Sequence, residues 1–274
     1  MTAPPLLQVS GLTITRSNGT SRRDVIRNAS FDVQAGNVLG IIGESGAGKT
    51  SLALALMGLL DKDSVEVNGK IIFSGKNLLD LTEDGLCAIR GAGMGMIFQD
   101  STGALDPSMK VLDQVAETVR LHLGVNRAKA RKLALDILTE AGVSEEVLTV
   151  APYAHQLSGG LCQRSMIAAA LAGRPDVLIA DEPTSSLDVT LQAQIISLLN
   201  KHRLATGMAI VFVSHDLALV SGFADEIVVL HSGEIVEFGS CGEVLGNPDH
   251  PYTKQLISAW DYENFEGGAS LAAR

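Results

Sequence analysis

Residues 38–51 read Val-Leu-Gly-Ile-Ile-Gly-Glu-Ser-Gly-Ala-Gly-Lys-Thr-Ser, an apolar run followed by a glycine-rich loop. The run Val38–Ile42 is typical of a strand that is covered on both faces. The loop Gly43-x-x-x-x-Gly48-Lys49-Thr50 matches the phosphate-binding loop pattern, and the helix formers from Ser51 to about Leu60 predict a helix after it. Strand, loop and helix in this order predict an α/β fold that binds phosphate groups.

The chemistry of phosphate binding explains this spacing. Glycines let successive backbone N–H groups turn inward around phosphate oxygens, and the helix N-terminus adds further N–H groups and a favourable dipole. Lys49 can reach the β- and γ-phosphates of a nucleotide, and the Thr50 hydroxyl can ligate Mg²⁺. The alternative is a glycine-rich turn that binds nothing. The candidate nucleotide-binding residues are Gly43, Glu44, Ser45, Gly46, Ala47, Gly48, Lys49, Thr50 and Ser51.

A second apolar run, residues 177–180, ends in the two carboxylates Asp181 and Glu182. Ligands of open α/β sheets lie at the carboxyl ends of the strands. Asp181 can hold Mg²⁺ there, and Glu182 can polarise a water for attack on a γ-phosphate. The alternative is a solvated strand end, or a cap for the next helix.

Composition excludes several classes of protein. The 274 residues contain 21 Lys and Arg against 31 Asp and Glu, and only 4% are aromatic, so a nucleic-acid-binding surface is not expected. The three cysteines form no CxxC pair, which argues against a disulfide framework, a zinc site or an iron–sulfur site. No apolar stretch approaches the roughly 20 residues that a bilayer crossing needs, and the N-terminus does not resemble a signal peptide.

The remaining pattern alternates between strands and helices. Short strands are expected within residues 6–42, and Val65–Phe73 is expected to form a hairpin that turns at Asn68-Gly69. Residues 110–172 are helical in pattern, with an apolar face at Ala130, Leu133, Ala134, Ile137, Leu138 and Ala141 and a stop at Gly142. Strands return at 177–180 and 209–213, a hairpin is expected around His231-Ser232-Gly233, and a last helix is expected from Tyr252 to Trp260.

Between the two phosphate-site motifs lies Leu157-Ser158-Gly159-Gly160-Leu161-Cys162-Gln163-Arg164, which resembles the signature motif of ATP-binding-cassette (ABC) ATPases. Gln99 resembles the glutamine of that family's Q-loop, Ser185-Ser186-Leu187-Asp188 resembles its D-loop, and His215 resembles its switch histidine. The resemblance extends from about Leu7 to Trp260. It implies a P-loop NTPase (RecA-like) core with an N-terminal antiparallel β subdomain and an inserted α-helical subdomain.

The resemblance also implies boundaries and roles. One ABC ATPase domain would span residues 6–260, with its core and β part at 6–99 and 166–245, a helical subdomain at about 100–165 and a flexible tail at 261–274. Glu182, His215 and Gln99 would be the catalytic residues, and Thr50, Gln99 and Asp181 would hold Mg²⁺. The residues Ser158, Gly159, Gly160 and Asp188 would face the ATP of a second ATPase subunit. Taken alone, Ser158 is better explained as an ordinary helix N-cap.

Within the family, the segment Asn247-Pro248-Asp249-His250-Pro251-Tyr252-Thr253-Lys254-Gln255-Leu256 resembles the peptide and nickel importer subgroup. The chain departs from that subgroup at Arg16, where an aromatic ring usually stacks on adenine; a guanidinium plane can stack there too. Cys162 is expected to fill space rather than to react. The Cys-rich extension of longer oligopeptide-type ATPases is not matched, so no iron–sulfur cluster is expected.

The function expected from the resemblance is that of an ATPase subunit of an ABC importer for peptides, nickel or metal chelates, with ATP and Mg²⁺ as cofactors. It would lie at the cytoplasmic face of the cell membrane. Its partners would be a paralogous or identical second ATPase subunit, two transmembrane permease subunits and, indirectly, an extracytoplasmic solute-binding protein. The alternatives are an accessory ATPase of phosphonate breakdown, an ABC ATPase of DNA repair or translation, and, least favoured, a P-loop kinase.

Overall fold

The computed structural model describes residues 4–17, 19, 21–185 and 187–260. The chain divides into two compact units. The phosphate-loop unit comprises Leu7–Val33, Asn37–Leu79 and Phe212–Arg274, and the helical unit comprises Met1–Leu6, Gln34–Gly36 and Asp80–Val211. The expected flexible tail, 261–274, lies outside the described residues.

Strands and helices are interspersed along the described chain. The strands are β1 (Leu7–Ser17), β2 (Arg22–Val33), β3 (Val38–Ile42), β4 (Val65–Phe73), β5 (Lys76–Asn77), β6 (Met94–Ile97), β7 (Val177–Asp181), β8 (Ala209–Val213), β9 (Glu226–His231) and β10 (Glu234–Ser240). The helices are α1 (Lys49–Leu56), α2 (Glu83–Ile89), α3 (Ser101–Ala104), α4 (Val111–Leu123), α5 (Arg127–Glu140), α6 (Glu145–Thr149), α7 (Gly159–Ala172), α8 (Val189–Thr206), α9 (Leu217–Phe223), α10 (Cys241–Gly246) and α11 (residues 251–260).

The phosphate-loop unit contains a four-stranded antiparallel sheet in the order β2-β1-β4-β5. The side chains that β1 buries are Leu7, Val9, Leu12 and Ile14. Their spacing changes from two to three residues because the strand carries a bulge between Val9 and Leu12. This change of phase hides the full length of the strand from a period-of-two pattern, so β1 extends to Ser17 although the sequence predicts only short strands within residues 6–42.

The predicted hairpin at Asn68-Gly69 is wrong. Val65–Phe73 is one continuous strand, and both of its halves pair with β1. Gly69 lies opposite the irregular part of β1, with a φ of 110°, and a Cβ atom there would stand 2.6 Å from the carbonyl oxygen of Gly11. Glycine is required at this position for close approach of two backbones and not for a reversal of the chain.

The strands around the phosphate loop are more regular. β3 pairs with β9 in parallel, and β9 pairs with β10 in antiparallel fashion. The predicted hairpin between β9 and β10 is confirmed. Its two turn residues, Ser232 and Gly233, have φ values of 49° and 85°, as a tight turn with two left-handed residues needs.

In the helical unit, α4, α5 and α7 pack against one another, and β6 pairs with β7 in parallel. The predicted apolar face of α5 is buried at Ala130, Ala134 and Leu138, and Gly142 follows the helix with a φ of 85°. Within the described ranges, no helix has both the length and the apolar content for a bilayer crossing.

Candidate functional site

The phosphate loop connects β3 to α1. Gly43 has a φ of 151°, and a Cβ atom there would stand 2.1 Å from the carbonyl oxygen of Leu230, so no other residue fits. The Lys49 side chain is 7% exposed, and its Nζ donates hydrogen bonds to the carbonyl oxygens of Gly43 (2.8 Å) and Glu44 (2.9 Å). Lysine therefore holds the loop closed around its own ammonium group.

The first turn of α1 is suited to an anion. The helix begins after Gly48, which is left-handed (φ 108°) and supplies no side-chain cap, whereas α7, α8 and α9 each receive a side-chain cap. Among the residues that the structure describes, no heavy atom lies within 4 Å of the Cβ position at Gly46, and the side chains of Ser45 and Thr50 are exposed. Uncapped N–H groups, open space and a fixed lysine fit a nucleotide phosphate.

Three residues that the sequence reasoning missed support the loop from its other side. The backbone N–H of Gly233, in the β9–β10 turn, donates to the carbonyl of Ala47 at 3.1 Å. The N–H of Glu44 donates to the phenol oxygen of Tyr252 at 2.9 Å, and the Glu44 carboxylate lies 3.1 Å from Nδ1 of His231. These contacts join positions about 190 to 210 residues apart, so no local sequence pattern predicts them.

A cavity of about 290 Å³ lies beside the loop, within the same unit. Its lining includes Gly46, Ser232 and the two arginines Arg16 and Arg23. Arg16 on β1 is directly opposite Arg23 on β2 in the sheet register. Two guanidinium groups, those of Arg16 and Arg23, thus lie where the importer subgroup usually has an aromatic ring. The sequence indicated only Arg16.

In the helical unit, Gln99 follows β6, and Asp181 and Glu182 stand at the end of β7. The Gln99 Nε2 donates to Glu182 Oε2 at 2.9 Å. Asp181 is buried, with 1% exposure, and Glu182 has a φ of 47°, a left-handed backbone that is unfavourable for a residue with a side chain. His215, in the other unit, is exposed and follows β8.

The signature segment begins α7. Ser158 is the N-cap of this helix, and its hydroxyl accepts a hydrogen bond from the Leu161 N–H at 3.4 Å. Space is open at Gly159, and Gly160 lies against the Leu187 side chain. Gln163, which sequence reasoning did not single out, is 1% exposed and donates from Nε2 to the carbonyl of Pro183, so α7 is tied to the residues that follow Glu182.

Asp188 and Cys162 also receive structural roles. Asp188 is the N-cap of α8, and its carboxylate accepts from the Leu191 N–H at 2.9 Å. The Cys162 thiol is buried and contacts the Ala154 carbonyl at 3.2 Å, and burial raises the pKa of this thiol. A buried, protonated thiol is consistent with the expectation that Cys162 fills space.

Comparison with known proteins agrees with this geometry. The family model described as ABC transporter matches residues 26–185, more than half of the chain. The dipeptide transport ATP-binding protein DppD of Lactococcus lactis subsp. cremoris (strain MG1363) is 42% identical over 260 residues, which are 94% of this chain and 74% of that protein. The glutathione import ATP-binding protein GsiA of Salmonella typhimurium (strain LT2) is 40% identical over 98% of this chain, but the chain spans only 44% of GsiA.

Solved structures are similar as well. The dimeric ATP-binding cassette MJ0796, in a post-hydrolysis state bound to ADP and Pi, has a TM-score of 0.78 and 28% identity, and the match covers 86% of this chain and 98% of that one. CbiO1 from Clostridium perfringens, described as part of the ABC transporter complex CbiONQ, has a TM-score of 0.73 and 26% identity over 89% of this chain and 92% of that one. The α/β cassette fold, the phosphate loop and these relatives together show that the chain belongs to the ABC transporter family and is one of its ATPases.

Proposed function

We propose that this protein is the ATP-hydrolysing subunit of a membrane importer for peptides. The observation that carries the proposal is the phosphate loop, with its buried Lys49 and its uncapped helix, in a chain whose relatives include proteins named for dipeptide and glutathione import. Peptide is the narrowest cargo class that these names share, because glutathione is itself a peptide.

The loop residues Gly43–Ser51 bind the phosphates of ATP in this proposal. Backbone N–H groups of the loop and of the first turn of α1 donate hydrogen bonds to the phosphate oxygens, and Lys49 places its charge beside the terminal phosphates. The cavity lined by Arg16 and Arg23 receives the nucleobase, which stacks on a guanidinium plane.

Glu182 acts as the general base in the proposed mechanism and takes the proton of the attacking water. Gln99, which donates to the Glu182 carboxylate, orients this water, and His215 hydrogen-bonds the γ-phosphate. Mg²⁺, when bound, neutralises phosphate charge. The residues that would hold it are Thr50, Gln99 and Asp181, whose oxygen donors suit this ion.

Two ATPase subunits are needed. Ser158, Gly159 and Gly160 of one subunit bind the ATP held by the phosphate loop of the other, and Asp188 contributes to the contact between them. The N-cap roles of Ser158 and Asp188 are compatible with this function, since a capped helix start still directs small residues outward. The second subunit is a paralogue or a second copy.

The membrane partners are two permease subunits, which place the protein at the cytoplasmic face of the membrane. Their proposed docking surface comprises the residues after Gln99 and the helices up to Ala151. This segment contains a groove of about 820 Å³ along α4 and the start of α5, and two exposed apolar side chains, Leu121 and Val150. An extracytoplasmic solute-binding protein delivers the peptide.

The test is transport and ATPase activity of the complex purified with its genetically linked permeases. Peptide-loaded binding protein should stimulate ATP hydrolysis, and Lys49→Ala should abolish both nucleotide binding and uptake. A complex that hydrolyses Mg-ATP but responds only to nickel, or to no cargo, would overturn the peptide assignment. A chain that ignores Mg-ATP beside its partners would overturn the proposal as a whole.

A further inference from the structure

The peptide unit between Gly43 and Glu44 is hydrogen-bonded at both ends. The N–H of Glu44 donates to the phenol oxygen of Tyr252 at 2.9 Å, and the carbonyl of Gly43 accepts from Lys49 Nζ at 2.8 Å. Lysine at this position of the loop is part of the phosphate site, but the tyrosine belongs to α11, more than 200 residues later in the chain. One side of a nucleotide-binding loop is therefore fixed by a helix outside the loop.

Tyr252 is itself held in place. Its ring packs on His231 with ring centroids 3.9 Å apart and planes 30° from parallel, and His231 lies 3.1 Å from the Glu44 carboxylate. Burial raises the pKa of the phenol, so the group stays protonated at neutral pH. The aromatic pair and the hydrogen bond thus reach Glu44 from two directions, one through its side chain and one through its backbone.

The start of α11 is anchored to the sheet by Glu237 of β10. The two oxygens of this carboxylate accept from the backbone N–H groups of Asp249 (2.9 Å) and His250 (3.2 Å). Burial pushes the pKa of Glu237 upward, but the hydrogen bonds from Thr253, Asp249 and His250 outweigh it and hold the pKa below its usual value. Glu237 remains ionised and caps the helix just before Tyr252.

We propose that Tyr252 is a positioning residue for nucleotide binding, which fixes the Gly43–Glu44 peptide of the phosphate loop through the hydrogen bond to the Glu44 N–H. The inference rests on the proposed function, because it concerns the same loop. A peptide held at its N–H and its carbonyl cannot rotate, so the neighbouring N–H groups stay directed at the phosphates and less ordering is needed when ATP binds.

The experiment measures the dissociation constant of Mg-ATP, together with KM and kcat, for the wild-type chain and for Tyr252→Phe. Phenylalanine keeps the ring on His231 but removes the oxygen. We expect the dissociation constant and KM to rise about three- to tenfold, the effect of one lost hydrogen bond, and kcat to stay within about twofold. Tyr153→Phe, in the helical unit, is the matched control and should change neither constant.

A second variant separates the backbone from the side chain. In a Glu44→Ala background the carboxylate is gone but the N–H remains, so Tyr252→Phe should weaken nucleotide binding by the same factor as in wild type. If the factor disappears in that background, Tyr252 acts through side-chain packing and the inference is wrong. A lowered melting temperature with an unchanged dissociation constant would also overturn it, because that pattern indicates a merely structural role.

The two proposals fail in different ways. Wild-type protein that does not bind Mg-ATP would overturn the proposed function and this inference together. Wild-type binding that is lost in Lys49→Ala but unchanged in Tyr252→Phe would overturn the inference alone.

Discussion

Gln99 donates a hydrogen bond to Glu182 at 2.9 Å, although the two residues are 83 positions apart in the chain. They meet because they follow β6 and β7, which are paired in parallel, and parallel neighbours end at the same edge of a sheet. The amide fixes one carboxylate oxygen of Glu182. This arrangement is what a general base with a positioning partner requires.

Glu182→Gln should therefore stop turnover without preventing nucleotide binding. Glutamine keeps the size of the side chain but cannot take a proton, so kcat should fall by about 10²- to 10⁴-fold, while the dissociation constant of Mg-ATP stays within about threefold. Steady-state hydrolysis and equilibrium binding on the same preparation check this. Glu145→Gln, on the exposed start of α6, is the control, and undiminished hydrolysis in Glu182→Gln would refute the base assignment.

Arg16→Tyr should strengthen binding of ATP. An aromatic ring stacks on a base more strongly than a guanidinium group does, so we expect the dissociation constant to fall about three- to tenfold. Arg16→Ala should raise it about two- to fivefold. Tripolyphosphate, which lacks a base, should bind no more tightly to Arg16→Tyr than to wild type, and Arg22→Ala, whose native side chain pairs with Glu66, serves as the control. Equal gains for both ligands would contradict a base contact.

Gly69→Ala should destabilise the protein more than Gly75→Ala does. Both glycines have positive φ values, 110° and 79°, but a Cβ atom at position 69 would collide with the Gly11 backbone, whereas that at position 75 meets open space. We expect losses of about 2–4 kcal/mol and about 1 kcal/mol, respectively, in the free energy of unfolding measured by urea titration. Equal losses would show that the close backbone approach at Gly69 is unimportant.

The Glu140 carboxylate should make stability depend on acid pH. The hydrogen bond from Lys201, helped by His202, outweighs burial and lowers the pKa of Glu140 below its usual value of 4.5. The folded state therefore gains from the ionised carboxylate above pH 4.5, and this gain is lost as the pH falls through the folded-state pKa. It should amount to less than about 1 kcal/mol, because the pair is partly exposed.

The check is the free energy of unfolding of Glu140→Gln and wild type at neutral and at acid pH. The difference between them should shrink on acidification. A difference that is constant with pH would argue against the ionised pair.

The local sequence pattern was sufficient to predict the strand, the loop and the helix at residues 38–56. β3 has the bounds that the sequence predicts. Helix α1 begins two residues earlier than predicted, at Lys49, and ends at Leu56, before the predicted end at about Leu60. These elements can be predicted from neighbouring residues alone, because a continuous apolar run indicates the strand and the glycines indicate the loop. The signature, Q-loop and D-loop segments could also be identified from their residues, although their local roles as helix caps or hydrogen-bond donors needed the structure.

The features that the sequence did not predict depend on tertiary contacts. Asn68-Gly69 has the composition of a turn, but β1 offers both halves of β4 a partner, and the strand stays extended. Arg23 became a candidate only through its register opposite Arg16, and Tyr252 only through its contact with the phosphate loop. Each of these three features depends on contacts between residues that are far apart in the sequence. Local periodicity cannot predict such contacts.

The left-handed backbone at Glu182 has a practical consequence for anyone who engineers this protein. Glycine adopts such a conformation without the roughly 1 kcal/mol that a side chain costs, so glycine at position 182 would be favoured by a selection for heat tolerance alone. The same replacement deletes the carboxylate that we propose as the general base of hydrolysis. A stabilisation campaign on this chain therefore has to score turnover beside melting temperature, or it will enrich robust but inactive molecules.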